Sequence, residues 1–131
     1  MKNDITNRVD IQQLVDTFYT KVRADETIGY LFNEVAQVNW EQHLPRMYDF
    51  WENIVFQTVG FKGNPMVAHE QLHQKSPLSA AHFDRWLQLF FATVDELFEG
   101  EKAELIKQRA LSIATMMRIK VSQSNDPKSI L

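Results

Sequence analysis

The sequence predicts an all-α fold, and three observations lead to that class. Apolar residues recur at helical spacing in several stretches, no stretch alternates like a half-buried strand, and glycine, proline and serine separate the stretches. The 131 residues are enough for one domain with its own core. We therefore expect a single domain over residues 1–131, with its core from about 10 to 121 and a disordered tail over 122–131.

The first expected helix is capped by Asp10 and ends near Ala24. Tyr19 borders its apolar face, where a buried tyrosine hydroxyl needs a hydrogen-bond partner. A short segment around Ile28 to Phe32 follows this helix. The apolar face of the helix is formed by Ile11, Leu14, Val15, Phe18 and Val22.

A second long helix is expected to begin near Asn39 and to carry His43 on its apolar face. Pro45 complicates this helix, because a proline deep inside a helix removes a hydrogen bond and clashes with the preceding turn. The helix must therefore start late or kink at Pro45. The rest of its apolar face is formed by Met47, Phe50, Trp51, Ile54 and Val55.

The second half of the chain starts with a loop from Gln57 to Pro65 and a short helix from Met66 to about His73. Ser76 or Ser79 then caps a long helix that Gly100 stops. The apolar stripe of this long helix consists of Phe83, Trp86, Leu87, Phe90, Val94 and Leu97. The buried side of the last helix consists of Ile106, Ala110, Ile113, Ala114 and Met117.

Composition and charge exclude several classes of function. The chain has no cysteine, which removes disulfides, thiolate nucleophiles and cysteine-ligated metal sites, and leaves histidine and carboxylate as strong metal ligands. A net charge of -3 with scattered basic residues gives no footprint for nucleic acid. The first residues lack the apolar segment of a signal peptide, and no run is long enough to cross a bilayer. We expect a cytoplasmic protein without nucleic-acid or membrane partners.

Residues His69 to His73 spell the H-E-x-x-H motif of zinc hydrolases. On a helix the two histidines share one face and can bind one zinc ion, while Glu70 deprotonates a metal-bound water. The version with a third histidine fails, because Ser79 occupies the histidine position and the required glycine is missing. Asp95 or Glu96 remains as a third ligand, so a zinc hydrolase stays an alternative.

The first histidine of the motif can instead serve a haem, which needs a proximal imidazole, an apolar slot and distal hydrogen-bond donors. His43 and Trp51, then His69, then Trp86 supply residues of that kind on successive helical segments. An aromatic stripe at helical spacing is more often plain core, and a single histidine is more often a satisfied core residue than a ligand. From these residues alone, a haem protein and a cofactor-free helical interaction domain both stay open.

Four sequence blocks resemble the group III truncated haemoglobins, in the same order and at matching separations. They run from Phe18 to Arg23, from His43 to Trp51, from Pro65 to His69 and from His82 to Leu87. The resemblance extends from about Asp10 to Val121, and the glycine-pair motifs of other truncated groups are missing from the sequence. It implies a truncated globin, a two-over-two helical sandwich that holds haem b.

The resemblance also implies roles for individual residues. His69 becomes the proximal iron ligand through Nε2, with its other ring nitrogen donating to a carbonyl or carboxylate. Tyr19 and Trp86 become distal donors to a bound ligand, and His43 becomes the distal-helix histidine that gates entry or swings out to solvent. Arg46 either pairs with a haem propionate or stands as an exposed arginine. The pocket wall would consist of Met47, Phe50, Trp51, Leu72, Phe83 and Phe90.

Two further histidines hold no iron in this interpretation. His73 lies one turn after His69, and two histidines there cannot both reach the iron from one side. His73 is therefore expected to be partly exposed or close to a propionate. His82, early in the long helix, is expected to pack or to cap rather than to ligate.

The implied function is binding of dioxygen and other diatomic ligands, nitric oxide among them, at a five-coordinate iron. Strong distal hydrogen bonding favours retention of the ligand, and so favours redox chemistry of oxygen and nitric oxide over bulk oxygen transport. The corresponding activities are nitric oxide dioxygenase or peroxidase-like turnover, although family alone does not fix function. The sequence has no flavin or nicotinamide fingerprint, so an external reductase is expected as a partner.

Overall fold

The computed structural model describes residues 2–57 and 78–124, and their side chains as far as residue 119. Within this part of the chain every regular element is helical, which confirms the all-α class. A π-helical turn, Leu31–Val35, lies between the first two long helices. The long helices are α1 (Arg8–Ala24), α2 (Trp40–Phe56), α3 (Ala80–Leu97) and α4 (Glu101–Ser124).

The helices pack as two pairs, with α1 against α2 and α3 against α4. The pairs also contact each other, because α1 packs on α3 and α2 packs on α4. This arrangement is the predicted two-over-two sandwich. Phe18 of α1 and Phe90 of α3 are fully buried where the pairs meet, with ring centroids 5.1 Å apart. Such large buried rings contribute strongly to the packing of the two layers.

The first turn of α1 differs from the expectation in its cap. Asn7 occupies the cap position, and its side chain accepts a hydrogen bond from the Asp10 backbone N–H at 3.1 Å. Asp10 accepts bonds from the backbone N–H and the hydroxyl of Thr6. The prediction of Asp10 as the cap is therefore wrong, because Asn7 caps equally well and leaves Asp10 to bind back to Thr6. The predicted end at Ala24 is confirmed.

Helix α2 begins at Trp40, directly after Asn39, as predicted. Pro45 lies inside the helix, so the expectation of a late start is wrong. Pro45 cannot donate to the Glu41 carbonyl one turn earlier, but Glu41 is exposed and water can supply the missing donor. Because the helix starts early, His43 lies one helical turn after Trp40.

The ends of α3 follow the predicted signals. Ser79, one of the two serines expected to cap this helix, occupies the cap position, and α3 ends at Leu97. Gly100, with φ of 140°, lies between α3 and α4, in a backbone conformation that favours glycine. The predicted loop after Gln57 and the short helix from Met66 to His73 lie outside the described residues.

The last helix is longer than expected. Helix α4 continues to Ser124, three residues beyond the expected end of the core at about 121. The predicted buried side of α4 is confirmed, with Ile113 partly buried. The fully buried members are Ile106, Ala110, Ala114 and Met117.

The N-terminal segment before α1 belongs to the fold, which the predicted core from about residue 10 misses. Ile5 is buried in the core, and the Glu99 backbone N–H donates to the Asn3 carbonyl at 3.0 Å. The Asp4 carboxylate accepts hydrogen bonds at 2.9 Å from the backbone N–H groups of Lys102 and Ala103. Asp4 thus caps α4 from the other end of the chain.

Substitution of Asp4 by alanine is expected to lower the free energy of unfolding by about 1–2 kcal/mol, the usual cost of losing a helix cap. Burial opposes ionisation of this carboxyl, but the hydrogen bonds from Lys102, Ala103 and Ile5 prevail and hold the pKa of Asp4 below its usual 3.8. A carboxyl with a lower pKa in the folded state stabilises the protein fully above its unfolded pKa. That stabilisation is lost as pH falls through the folded pKa.

Urea unfolding of the wild type and of Asp4→Ala at neutral pH and at about pH 3 measures this effect. The difference between the two proteins should be largest at neutral pH and smaller in acid. A difference that is equal at both pH values would contradict the assigned role of the Asp4 carboxylate.

Candidate functional site

A cluster of aromatic rings lies where α1, α2 and α3 meet. Phe18 is at its centre, and its ring contacts Tyr19, Trp86 and Phe90 edge to face, at centroid separations of 5.0, 5.6 and 5.1 Å. Successive residues of a helix point in directions about 100° apart. Phe18 therefore contacts α3, while Tyr19 contacts α2.

Tyr19 is 6 % exposed, and its ring contacts Phe32, Trp40 and His43. Burial raises the pKa of Tyr19, so the hydroxyl keeps its proton at neutral pH and is a hydrogen-bond donor. No group within residues 2–57 and 78–124 forms a hydrogen bond with this hydroxyl. The hydroxyl is therefore able to donate a hydrogen bond to a bound ligand.

His43 contacts two aromatic rings. Its ring lies 5.2 Å from that of Tyr19 and 5.5 Å from that of Trp40, edge to face in both pairs. Tyr19 comes from α1, while His43 and Trp40 lie one turn apart on α2. The structure thus brings together Tyr19 and His43, which are 24 positions apart in the sequence.

Trp86 of α3, the second predicted donor, also packs against Phe18, with ring centroids 5.6 Å apart. Its indole stacks on Phe90 at 5.5 Å and 11°, and on Trp51 at 6.5 Å and 25°. Trp51 and Phe90 are buried, and their packing holds the indole of Trp86 in one orientation. In the described part of the chain, nothing accepts a hydrogen bond from the Trp86 indole N–H.

An apolar cavity of about 40 Å³ adjoins this cluster. Trp86 forms one part of its wall, and Phe32, which contacts Tyr19, forms another. The other wall residues are Ile28, Leu31, Leu78, His82, Phe83, Ala114 and Met117.

The predicted wall residues that the structure describes occupy two positions around the cluster. Phe83 lines the cavity itself, while Trp51 and Phe90 stack against Trp86. Met47 and Phe50 of α2 are partly buried and pack against the core. All five therefore belong to the core around the site, but only Phe83 among them lines the cavity within the described residues.

The proximal side of the predicted site lies outside the described residues, which leaves out His69, Leu72 and His73. Arg46 lies on α2 with its side chain exposed and forms no ion pair within residues 2–57 and 78–124. A cation in this position is available to a carboxylate from outside the chain. The structure thus fits both predicted roles of Arg46.

His82 lies in the cavity wall, which the sequence did not predict. Its Nδ1 accepts a hydrogen bond at 3.0 Å from the Ser79 backbone N–H, so His82 helps to cap α3 as expected. Its Nε2 therefore carries the proton of the neutral ring and faces the Tyr30 hydroxyl at 3.3 Å. Burial lowers the pKa of His82. Helical spacing could not predict that His82 lines the cavity, because other walls of the cavity come from distant parts of the chain, such as Ala114 and Met117 of α4.

In the described part of the chain, no group of three histidine, aspartate or glutamate side chains could hold a metal, and the H-E-x-x-H motif lies outside that part. The two carboxylates considered as a third ligand have other partners. Asp95 pairs with Lys107 at 2.7 Å and Glu96 pairs with Lys21 at 2.6 Å. No helix of the described chain is long and apolar enough to span a membrane.

A two-over-two helical sandwich with an apolar cavity beside its cluster of aromatic rings defines a small helical protein of the globin kind. Residues 3–122 match the family model of the bacterial-like globins, and the chain belongs to that family. The globin family implies a haem cofactor.

Two comparisons give the closer likeness. The chain is 30% identical over 118 residues to group 3 truncated hemoglobin ctb of Campylobacter jejuni, which covers 88% of this chain and 91% of that protein. The crystal structure of a group III truncated hemoglobin from Campylobacter jejuni superposes with a TM-score of 0.80 and 27% identity. That match covers 92% of this chain and 95% of the other. The truncated globin fold predicted from the sequence is thereby confirmed.

The residues of the site fit a haem. The cavity wall is apolar apart from His82, as a macrocycle requires. Tyr19 and Trp86 each carry a donor that has no partner in the described chain, as a polar bound ligand requires. Arg46 offers an exposed cation for a carboxylate of the cofactor.

Proposed function

We propose that this protein binds haem b in the apolar cavity and binds dioxygen and other diatomic ligands beside Tyr19 and Trp86. One observation carries the proposal. Tyr19 and Trp86, from different helices, both pack against Phe18 next to an apolar cavity, and neither the hydroxyl nor the indole N–H donates a hydrogen bond within the described chain.

The haem, when bound, supplies an iron that accepts a diatomic ligand at its open position. His69 is the residue we assign to the proximal side, from the sequence, and it would hold the cofactor through Nε2. Phe83 and its apolar neighbours would exclude water from the faces of the macrocycle. Arg46 would pair with a propionate at the exposed edge.

On the distal side, the residues of this chain orient and retain the ligand. The Tyr19 hydroxyl would donate a hydrogen bond to a ligand atom that carries partial negative charge, since burial keeps the phenol protonated. The Trp86 indole N–H would donate from α3, in an orientation held by Trp51 and Phe90. His43, in contact with Tyr19, would control the access of ligand and water.

Two donors on one small ligand slow its escape, which suits chemistry on a retained ligand better than delivery of oxygen. We therefore propose oxygen and nitric oxide redox chemistry, as nitric oxide dioxygenase or in peroxidase-like turnover. The sequence carries no nicotinamide or flavin fingerprint, so a separate reductase would supply the electrons. We assign this work to the cytoplasm, where such reductants are available.

The proposal is tested by metal analysis and absorbance of protein purified from cells supplied with both iron and zinc. We expect about one iron per chain, a Soret band and no stoichiometric zinc. Glu70→Gln is the matched variant, because that glutamate is the general base of a zinc hydrolase and incidental in a haem protein. Its iron content and its Soret band should equal those of the wild type. Stoichiometric zinc without iron, or colourless protein that takes up no added haem, would overturn the proposal.

A further inference from the structure

Trp40 packs against both partners of the Tyr19–His43 contact. Its ring lies 5.3 Å from Tyr19 and 5.5 Å from His43, and these two rings lie 5.2 Å from each other. Phe32 stacks on the ring of Trp40 at 6.2 Å and 29°. Trp40, Tyr19 and His43 therefore form a closed triangle of rings.

Arg23 holds Trp40 from outside. Its guanidinium carbon lies 4.8 Å from the centroid of the Trp40 ring, within the range of a cation–π contact. Arg23 is exposed and forms no ion pair in the described chain, so no carboxylate draws it away from the ring. Its carbonyl accepts a hydrogen bond at 3.1 Å from the Asn33 side chain, which fixes the end of α1 to the π-helical turn.

We infer that Trp40, held by Arg23, is a positioning residue that keeps His43 against Tyr19 and so limits ligand entry. The inference rests on the proposed function. The His43 ring is edge to face with both Tyr19 and Trp40, so it cannot rotate outward without losing or displacing one of these contacts. Displacement of Trp40 in turn breaks its contact with Arg23. Opening the distal side therefore costs the free energy of both contacts.

Arg23 is not among the residues that line the cavity, and it would control ligand entry through Trp40. A cation–π contact at an exposed site corresponds to about a two- to five-fold change in an opening equilibrium. Arg23→Gln removes the charge from an exposed side chain and leaves the buried core intact. Trp40→Ala opens the triangle fully, and Trp40→Phe keeps a ring in place.

The experiment uses the haem-loaded protein with carbon monoxide as the probe. Rebinding after a light flash gives the association rate, and NMR of the diamagnetic carbon monoxide complex gives the chemical shifts of the His43 ring protons. Arg118→Gln is the control, because it removes an exposed arginine of α4 that pairs with Asp84 of α3 and lies on neither α1 nor α2. Complete haem loading, seen in the Soret band, is required of every variant.

We expect carbon monoxide to associate about two- to five-fold faster in Arg23→Gln and about ten-fold faster in Trp40→Ala. Trp40→Phe should restore a rate near that of the wild type, and Arg118→Gln should leave the rate unchanged. The His43 ring protons should shift in Arg23→Gln and in Trp40→Ala. Fully loaded Arg23→Gln and Trp40→Ala with unchanged rates and shifts would overturn this inference alone. A wild type that binds no haem would overturn the proposed function with it.

Discussion

Tyr19→Phe is expected to release dioxygen about ten- to a hundred-fold faster than the wild type, because it removes one hydrogen bond to a partly charged ligand. The substitution deletes only the hydroxyl and keeps the ring that packs against Phe18, Trp40 and His43. Since the hydroxyl has no partner in the described chain, its loss should leave the free energy of unfolding of the haem-free protein nearly unchanged.

Stopped-flow displacement of dioxygen measures the release rate, and release of carbon monoxide from the same variants gives a comparison with a less polar ligand. Tyr30→Phe is the matched control, because Tyr30 is exposed and its hydroxyl faces His82 rather than the distal rings. We expect the control to differ from the wild type by less than about two-fold. Equal dioxygen release from Tyr19→Phe and the wild type would exclude Tyr19 as a distal donor.

His69→Ala is expected to weaken haem binding by more than about a hundred-fold, since loss of an outer partner of a metal ligand alone costs about 10- to 100-fold. His69 is the histidine to which the sequence resemblance assigns the iron. His73 lies four residues later, and one macrocycle cannot be ligated by both from the same side. His73→Ala should therefore keep nearly the whole affinity of the wild type, and it is the matched control for the loss of an imidazole.

Local patterns in the sequence predicted the helices well, and their failures have a common cause. The period of apolar residues located α1, α2, α3 and α4, because each helix buries one continuous stripe. The cap of α4 by Asp4 was missed, since Asp4 and Lys102 are 98 positions apart and no local pattern links them. The same holds for Ile5, which lies in the core although it precedes the first helix.

Local sequence patterns predicted the residues of the site less well than they predicted the helices. Helical spacing places Tyr19 and Trp86 at or on apolar faces, but it cannot tell an inward-pointing donor from plain core. Their roles came from the resemblance, and the structure adds that both adjoin Phe18. No pattern in the sequence predicted the contact of Arg23 with Trp40, because this contact joins the end of one helix to the start of the next.

The most direct test of a haem protein ligated by His69 is a titration of the haem-free wild type, His69→Ala and His73→Ala with haem, followed by the Soret band. We predict saturation of the wild type and His73→Ala at about one haem per chain. His69→Ala should bind far more weakly, with a shifted band that added imidazole restores. Equal binding and equal spectra in all three proteins, or no Soret band in the wild type, would contradict the account.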